Sequence, residues 1–198
     1  MAKVKKKFYV FGSGGHAKSC IDVIESDNTN KIIGIVYKNK KPSDIFFSNY
    51  KLINETKLAS SYKGFYAING IGQIKSNFAR KEIFKLIKKK KFKIEPTSSQ
   101  RAYISKTSKV GLGTIVMHNS YIGPKSNIGN NCIINTGSII EHDAKIGNHC
   151  HISTGCIING NVSISNDCFI GSGTIIKEGV KIKPGRIIPM GSVIKKDV

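Results

Sequence analysis

The sequence predicts a two-domain α/β chain: a half-sized domain of strand, glycine turn and helix over residues 1–95, then a parallel β-helix of hexapeptide repeats over residues 96–198. Three observations predict it. From Ile104 to Ile194 every sixth residue is aliphatic and β-branched, through sixteen consecutive positions. Two residues before each of these the side chain is small, from Ala102 and Ser108 to Val180 and Ser192, with Arg186 the one exception. Ahead of the repeats, the apolar run Lys7–Phe11 leads into Gly12-Ser13-Gly14-Gly15-His16-Ala17 and then a helical pattern.

A fixed short period is the mark of a solenoid, in which units too small to bury their own apolar side stack into one core. Six residues is too long for strand alternation and does not match a helix face. It suits a triangular coil of three flat sides, about five coils in all, with the aliphatic residue inside and the small residue where the chain bends. Gly129-Asn130, Gly147-Asn148 and Asn159-Gly160 are the expected corners. A β-sandwich of short strands would have no reason to keep one period for ninety residues. The lysine-rich Lys177–Lys183 and Lys195–Asp197 are expected to cap the end.

In the first domain, Ala17, Cys20, Ile21 and Ile24 recur at helical spacing, so a helix runs to about Ser26. Gly12-x-Gly14-x-x-Ala17 fits the alanine form of the dinucleotide fingerprint of a Rossmann-like unit, in which glycines admit a phosphate to a helix N-terminus. The second strand, Lys31–Val36, ends in Tyr37-Lys38, where a NAD site would carry an acidic residue; this argues against a redox cofactor. Residues 39–62 read as a loop with one short strand, Tyr50–Ile53. A third strand at Phe65–Ile68 precedes Asn69-Gly70-Ile71-Gly72. A basic helix over Ser76–Lys90 follows, with Phe78, Ile83, Leu86 and Ile87 as its apolar side, and Pro96–Gln100 is the domain junction. The unit has room for one nucleotide.

A net charge of +20 raises the question of nucleic acid, but lysine is spread through the chain and no nucleic-acid motif occurs. The charge suits polyanionic small molecules instead. No apolar run is long enough to span a bilayer, and the basic Met1–Lys7 leads into a strand and turn rather than a signal peptide, so a cytoplasmic protein is expected. Four of five cysteines (Cys132, Cys150, Cys156, Cys168) occupy the small repeat position and read, with Cys20, as core filler in a reducing compartment.

Of His16, His118, His142, His149 and His151, no pair has the His-x4-His spacing of a β-helix carbonic anhydrase, so no metal site is expected. Glu141-His142-Asp143 stands out instead, replacing the glycine usual after the aliphatic position. A histidine with a carboxylate beside it is a proton acceptor held in one tautomer, suited to attack by an amine or hydroxyl on a thioester.

The run Asn135 to Ser153 around that triplet, together with Val10-Phe-Gly-Ser-Gly-Gly-His-Ala-Lys18, resembles the bacterial sialic acid O-acetyltransferases and UDP-4-amino-sugar N-acetyltransferases (NeuD/PglD type) of the hexapeptide-repeat acyltransferases. The resemblance covers essentially the whole chain. It implies a left-handed β-helix, although the general rule for parallel crossovers gives the opposite hand. It also implies a homotrimer with active sites between subunits, and acetyl-CoA in the groove between adjacent β-helices. His142 falls on the catalytic base and Asp143 on its carboxylate, where close relatives carry Glu. His151, Gly160, Ser172 and Met190 fall on the coenzyme groove, with Pro189-Met190 where many relatives have glycines and without the usual Gly-Val-Pro-Ala tail. Gly14, Gly15, His16, Tyr37 and Asn69 fall on the nucleotide-sugar pocket, with Tyr37-Lys38 replacing frequent acidic residues. The implied activity is transfer of acetyl from acetyl-CoA to the amino group of a nucleotide-activated amino sugar, for bacterial surface polysaccharide. The alternatives are O-acetylation of a sialic acid and a non-enzymatic nucleotide-sugar-binding trimeric scaffold.

Overall fold

A computed structural model describes residues 6–198; residues 1–5, which carry most of the basic N-terminal run, lie outside the described residues. The chain forms two compact units, one comprising residues up to Gly72 with Phe78–Glu95, the other Gln73–Asn77 with Pro96–Val198. The segment 73–77, whose last two residues the sequence assigns to the start of the helix, thus belongs with the β-helix.

In the first unit β1 (Lys6–Phe11) pairs in parallel with β2 (Asn30–Tyr37) and β4 (Tyr66–Asn69), and β2 with β3 (Leu52–Asn54), in the order β3-β2-β1-β4. Helix α1 (Gly15–Glu25) buries the expected Ala17, Cys20, Ile21 and Ile24. Helix α2 (Phe78–Lys89) keeps most of the predicted apolar side, with Ile83 and Leu86 partly buried against the core beside Ile87. It buries Arg80, Phe84 and Ile87, while Phe78 at its first residue is 69% exposed. Phe84 and Ile87 are three apart on one stripe, whereas Phe78 lies off it.

The second unit is a left-handed parallel β-helix of two-residue strands in three sheets. The first face runs from Thr97–Ser98 to Ile187–Ile188, the second from Tyr103–Ile104 to Val193–Ile194, the third from Lys109–Val110 to Lys181–Ile182. Pairing is in register at eighteen residues, as in Ile134 with Ile152. Every aliphatic repeat residue ends a strand, and from Val116 to Ile188 all are buried, each worth about 1.5–3 kcal/mol of apolar transfer. The coil starts one step before the repeat is legible, because Thr97–Ser98, inside the predicted junction, already pairs with Ile115–Val116.

The bend lies one residue earlier than the small position. From Gly113 to Gly191 every sixth residue has positive φ, filled by Gly, Asn, Asp, Lys or His. Glycine meets that geometry without strain, and Asn, Asp and His tolerate it better than most. The small residue has another task. Thr114, Ser120, Ser126, Cys132 and Ser138 each donate a side-chain hydrogen bond to the corner carbonyl fifteen residues on, at 2.7 Å for Ser126 and 3.0 Å for Cys132. A buried carbonyl left unmet costs about 1–3 kcal/mol, so this position selects small donors and not small volume alone. At the C-terminal end, backbone bonds join Val198 to Lys181 and Lys183, and Ile194 and Val198 pack on the core between the lysines.

The outward side chains distinguish the faces. The third face shows Lys109, Asn127, Lys145, Ser163 and Lys181; the second shows Tyr103, Tyr121, Ile139, Ile157, Ile175 and Val193.

Candidate active site

Glu141-His142-Asp143 forms the corner between the second and third faces. Ser126 Oγ donates to the Glu141 carbonyl, and the Asp143 N–H donates to the Pro124 carbonyl at 2.9 Å. Asp143 has a φ of +59°, a conformation aspartate accepts. So folded, its Oδ2 lies 2.9 Å from His142 Nδ1. A carboxylate only accepts, so Nδ1 carries the proton and Nε2 is left as the basic nitrogen. The His142 pKa is raised above the ordinary histidine value, first by this hydrogen bond and then by the charges of Asp143, Glu141 and Glu178, against some desolvation. The His142 side chain is 56% exposed, open to a reactant.

One coil further on, Gly160 lies under the imidazole: a Cβ there would stand 2.6 Å from Cε1 and 2.7 Å from Nε2 of His142. Ser172 and Met190 stack on a different edge, between the first and second faces, where the Gly191 N–H donates to the Ser172 carbonyl. Ser172 Oγ is 2.9 Å from Ser153 Oγ, and Met190 is 78% exposed. One chain therefore does not bring these two residues to His142. His151 lies on the first face with only 7% exposure. Its Nδ1 donates to the Gln73 carbonyl at 2.7 Å, Asn135 Nδ2 lies 3.3 Å from Nε2, and Phe169 packs edge-on. Gln73 Nε2 donates to the Cys168 carbonyl and Asn77 Nδ2 to Asp167 Oδ1, which ties the 73–77 segment to the coil.

In the first unit, Gly14 caps α1 without a side-chain bond, and added Cβ atoms on Gly14 or Gly15 would meet nothing within 4 Å, so the helix N-terminus is open. Gly12 needs its glycine for a φ of +110° and for the close approach of Ile71. His16 Nε2 is 3.5 Å from Cys20 Sγ, whose thiol burial pushes up to about 12 while the charge of Arg80 lowers it. Asn69 is 2% exposed; its side chain donates to the Arg80 carbonyl and accepts from the Ile71 N–H. Tyr37 lines a separate cleft of about 320 Å³ with Tyr9, Lys51, Lys57 and Tyr62. Arg80, a residue sequence reasoning missed, is 1% exposed and donates to the carbonyls of Asn69 and Ile71, bracing the 69–72 loop. Its place in a basic surface-like helix hides it.

Fold and corner define a hexapeptide-repeat β-helix protein preceded by a Rossmann-like half domain. Residues 7–87 match the PglD N-terminal domain family, and residues 125–160 match the bacterial transferase hexapeptide (six repeats), so the two domains occur in the order the sequence resemblance implies. The first match holds Gly14, Gly15, His16, Tyr37 and Asn69; the second holds His142, Asp143, His151 and Gly160. No curated protein sequence matches the chain. Among solved structures, the acetyltransferase domain of PglB from Neisseria gonorrhoeae FA1090 is similar with a TM-score of 0.85 at 24% identity, covering 98% of this chain and 93% of that one. PerB from Caulobacter crescentus, solved with CoA and GDP-perosamine, gives 0.82 at 24% identity over 97% and 90%. WeeI from Acinetobacter baumannii AYE gives 0.76 at 19% over 98% and 93%. At these identities the likeness establishes the fold.

Proposed function

We propose that this protein is an acetyltransferase that moves acetyl from acetyl-CoA to the amino group of a nucleotide-activated amino sugar in bacterial surface polysaccharide synthesis. The His142–Asp143 pair, exposed on a β-helix corner with the reactive ring edge over Gly160, carries the reading. His142 Nε2 takes a proton from the incoming ammonium. The amine nitrogen attacks the thioester carbon, the tetrahedral intermediate expels the thiolate, the imidazolium gives its proton to sulfur, and the surplus proton of the new amide nitrogen leaves to solvent. Backbone N–H groups of the corner are the candidates for meeting the oxyanion. The coil cysteines are buried, which supports direct transfer rather than an acyl-enzyme. The similar structures support the reactants: PglB's acetyltransferase domain has been solved with acetyl coenzyme A, and PerB with CoA and GDP-perosamine.

The active unit is a homotrimer with sites between subunits. The second face presents an apolar outward column in which Tyr103 is 60% and Val193 58% exposed, the kind of surface that marks an interface. Its two edges hold the two halves of the site, His142 and Gly160 on one, Ser172 and Met190 on the other. A neighbour packed along this face would supply the edge that one chain cannot. Gly14, Gly15, His16, Tyr37 and Asn69 serve the nucleotide sugar, His151 the coenzyme, and no metal takes part. Five free cysteines suit a reducing cytoplasm.

Release of free thiol from acetyl-CoA, measured against UDP-, GDP- and dTDP-4-amino sugars and free sialic acid, tests the reading. Turnover on a nucleotide amino sugar supports it. Turnover on sialic acid alone replaces it with O-acetylation, and no turnover with nucleotide sugar bound but acetyl-CoA not bound replaces it with a scaffold.

A further inference from the structure

The glycines of the β-helix fall into two groups by cause, with one exception. Gly113, Gly137, Gly155, Gly173, Gly179, Gly185 and Gly191, at the third corner position, have positive φ. Gly111, Gly123, Gly129, Gly147 and Gly171, at the first corner position, face the next coil so closely that a Cβ would stand 2.4–2.9 Å from its atoms, as 2.6 Å for Gly129 against Gly147 and 2.4 Å for Gly171 against Met190. Gly160 belongs to neither. It is the one glycine at the second corner position, where other coils carry Leu112, His118, Pro124 or Asn130, so the position itself tolerates a side chain. Its φ is not among the positive values. The three nearest atoms to an added Cβ are all on the His142 ring: Cε1 at 2.6 Å, Nε2 at 2.7 Å and Nδ1 at 3.3 Å.

We propose that Gly160 is a positioning residue for His142, its missing side chain forming the seat on which the imidazole lies while Asp143 holds Nδ1. This rests on the reading of His142 as the base. Fold requirements do not explain the glycine, since neither backbone strain nor a backbone neighbour calls for it. The imidazole is the exposed end of a side chain, so an added methyl displaces it cheaply. Displacement separates Nδ1 from Asp143 Oδ2 and moves Nε2 off the corner. The groups facing the ring are Asp143 and Glu141 on its own corner and Glu178 two coils on, all carboxylates. A ring moved off its seat loses the hydrogen bond first and some of the influence of these charges with it.

The test is Gly160→Ala with Gly160→Ser, read by NMR titration of the His142 Cε1–H, assigned by its loss in His142→Ala. The expected result is a titration midpoint lowered toward ordinary histidine and kcat reduced about tenfold or more. Acetyl-CoA affinity is read alongside by calorimetry, because Gly160 also falls on the coenzyme groove, and the melting temperature should stay within about 2 °C. In a His142→Ala background, Gly160→Ala should cost nothing further. An unmoved titration, or weakened acetyl-CoA binding with kcat intact, overturns the proposal, the latter making Gly160 a coenzyme contact only. The titration reads the seat without any acceptor. A shifted midpoint in a protein that acetylates none of the panel would therefore refute the activity and leave the seat standing.

Discussion

Two single-methyl additions, Gly129→Ala and Gly137→Ala, separate the two forces that shape the coil. At Gly137 the backbone has a φ of +67° and the added Cβ meets nothing within 4 Å. The cost is left-handed backbone strain, about 1–2 kcal/mol for a non-glycine residue. The smaller entropy of the unfolded alanine chain offsets roughly 0.4–1 kcal/mol of it. The net is about 0–1.6 kcal/mol, a fall of no more than roughly 6 °C in Tm for a chain of this size. At Gly129 the Cβ would stand 2.6 Å from the carbonyl carbon and oxygen of Gly147 and 2.7 Å from Asn148 N, about 0.8 Å inside ordinary contact. None of these is a side chain that can swing away. Relief must push apart adjacent coils that are held by the Gly129 N–H to Ile146 carbonyl bond at 2.8 Å. Overpacking at about 1–3 kcal/mol and a weakened hydrogen bond at about 1 kcal/mol sum to roughly 3 kcal/mol. That corresponds to a Tm loss of about 6–12 °C. Thermal and urea unfolding followed by far-UV circular dichroism reads both variants at fixed protein concentration. If Gly129→Ala unfolds no more readily than Gly137→Ala, inter-coil contact is not what selects glycine at the first corner position.

His142→Ala should lower kcat by about 10²–10⁴ with the circular dichroism spectrum and assembly unchanged, because its ring is mostly exposed; near-full activity in the pure variant refutes the assignment. Asp143→Asn keeps a residue suited to positive φ but removes the charge that raises the His142 pKa. Base function requires the unprotonated ring, so activity rises with pH through that pKa. The acid limb of the kcat/KM profile should move to lower pH in the variant, with a reduced plateau, and an unmoved limb refutes the pairing. Ile157→Asp places a charge in the apolar column of the second face and should convert the proposed trimer to monomer by light scattering, with activity lost; an unchanged mass excludes this face from the interface.

The six-residue period was legible because each aliphatic residue occupies the same environment, so one chemical rule repeats for ninety residues. The strand, glycine turn and helix at the N-terminus were legible for a like reason, as local patterns of two and three and a half residues. The apolar side of α2 was legible in part: Ile83, Leu86 and Ile87 pack on the core as read, but Phe78 is exposed, and Phe84 and Arg80, which the pattern did not mark, are buried. The role of the small position was half legible: its size showed in the sequence, its hydrogen bond to a carbonyl fifteen residues away did not. For the site, Glu141-His142-Asp143 was visible as a break in the repeat.

The sequence by itself determined the coil, its pitch of eighteen residues and the neighbourhood of His142 with Asp143, because adjacent residues on a corner cannot lie far apart. Only the tertiary structure decided what meets across coils and faces. Gly160 is eighteen residues from His142 in sequence yet forms its seat, since stacked parallel strands stand about 4.8 Å apart. His151, nine residues from His142, is turned into the first face and bonded to Gln73, since nine residues is half a coil. Ser172 and Met190 fall on another edge altogether, because a triangular coil sends residues that are not multiples of eighteen apart to different corners.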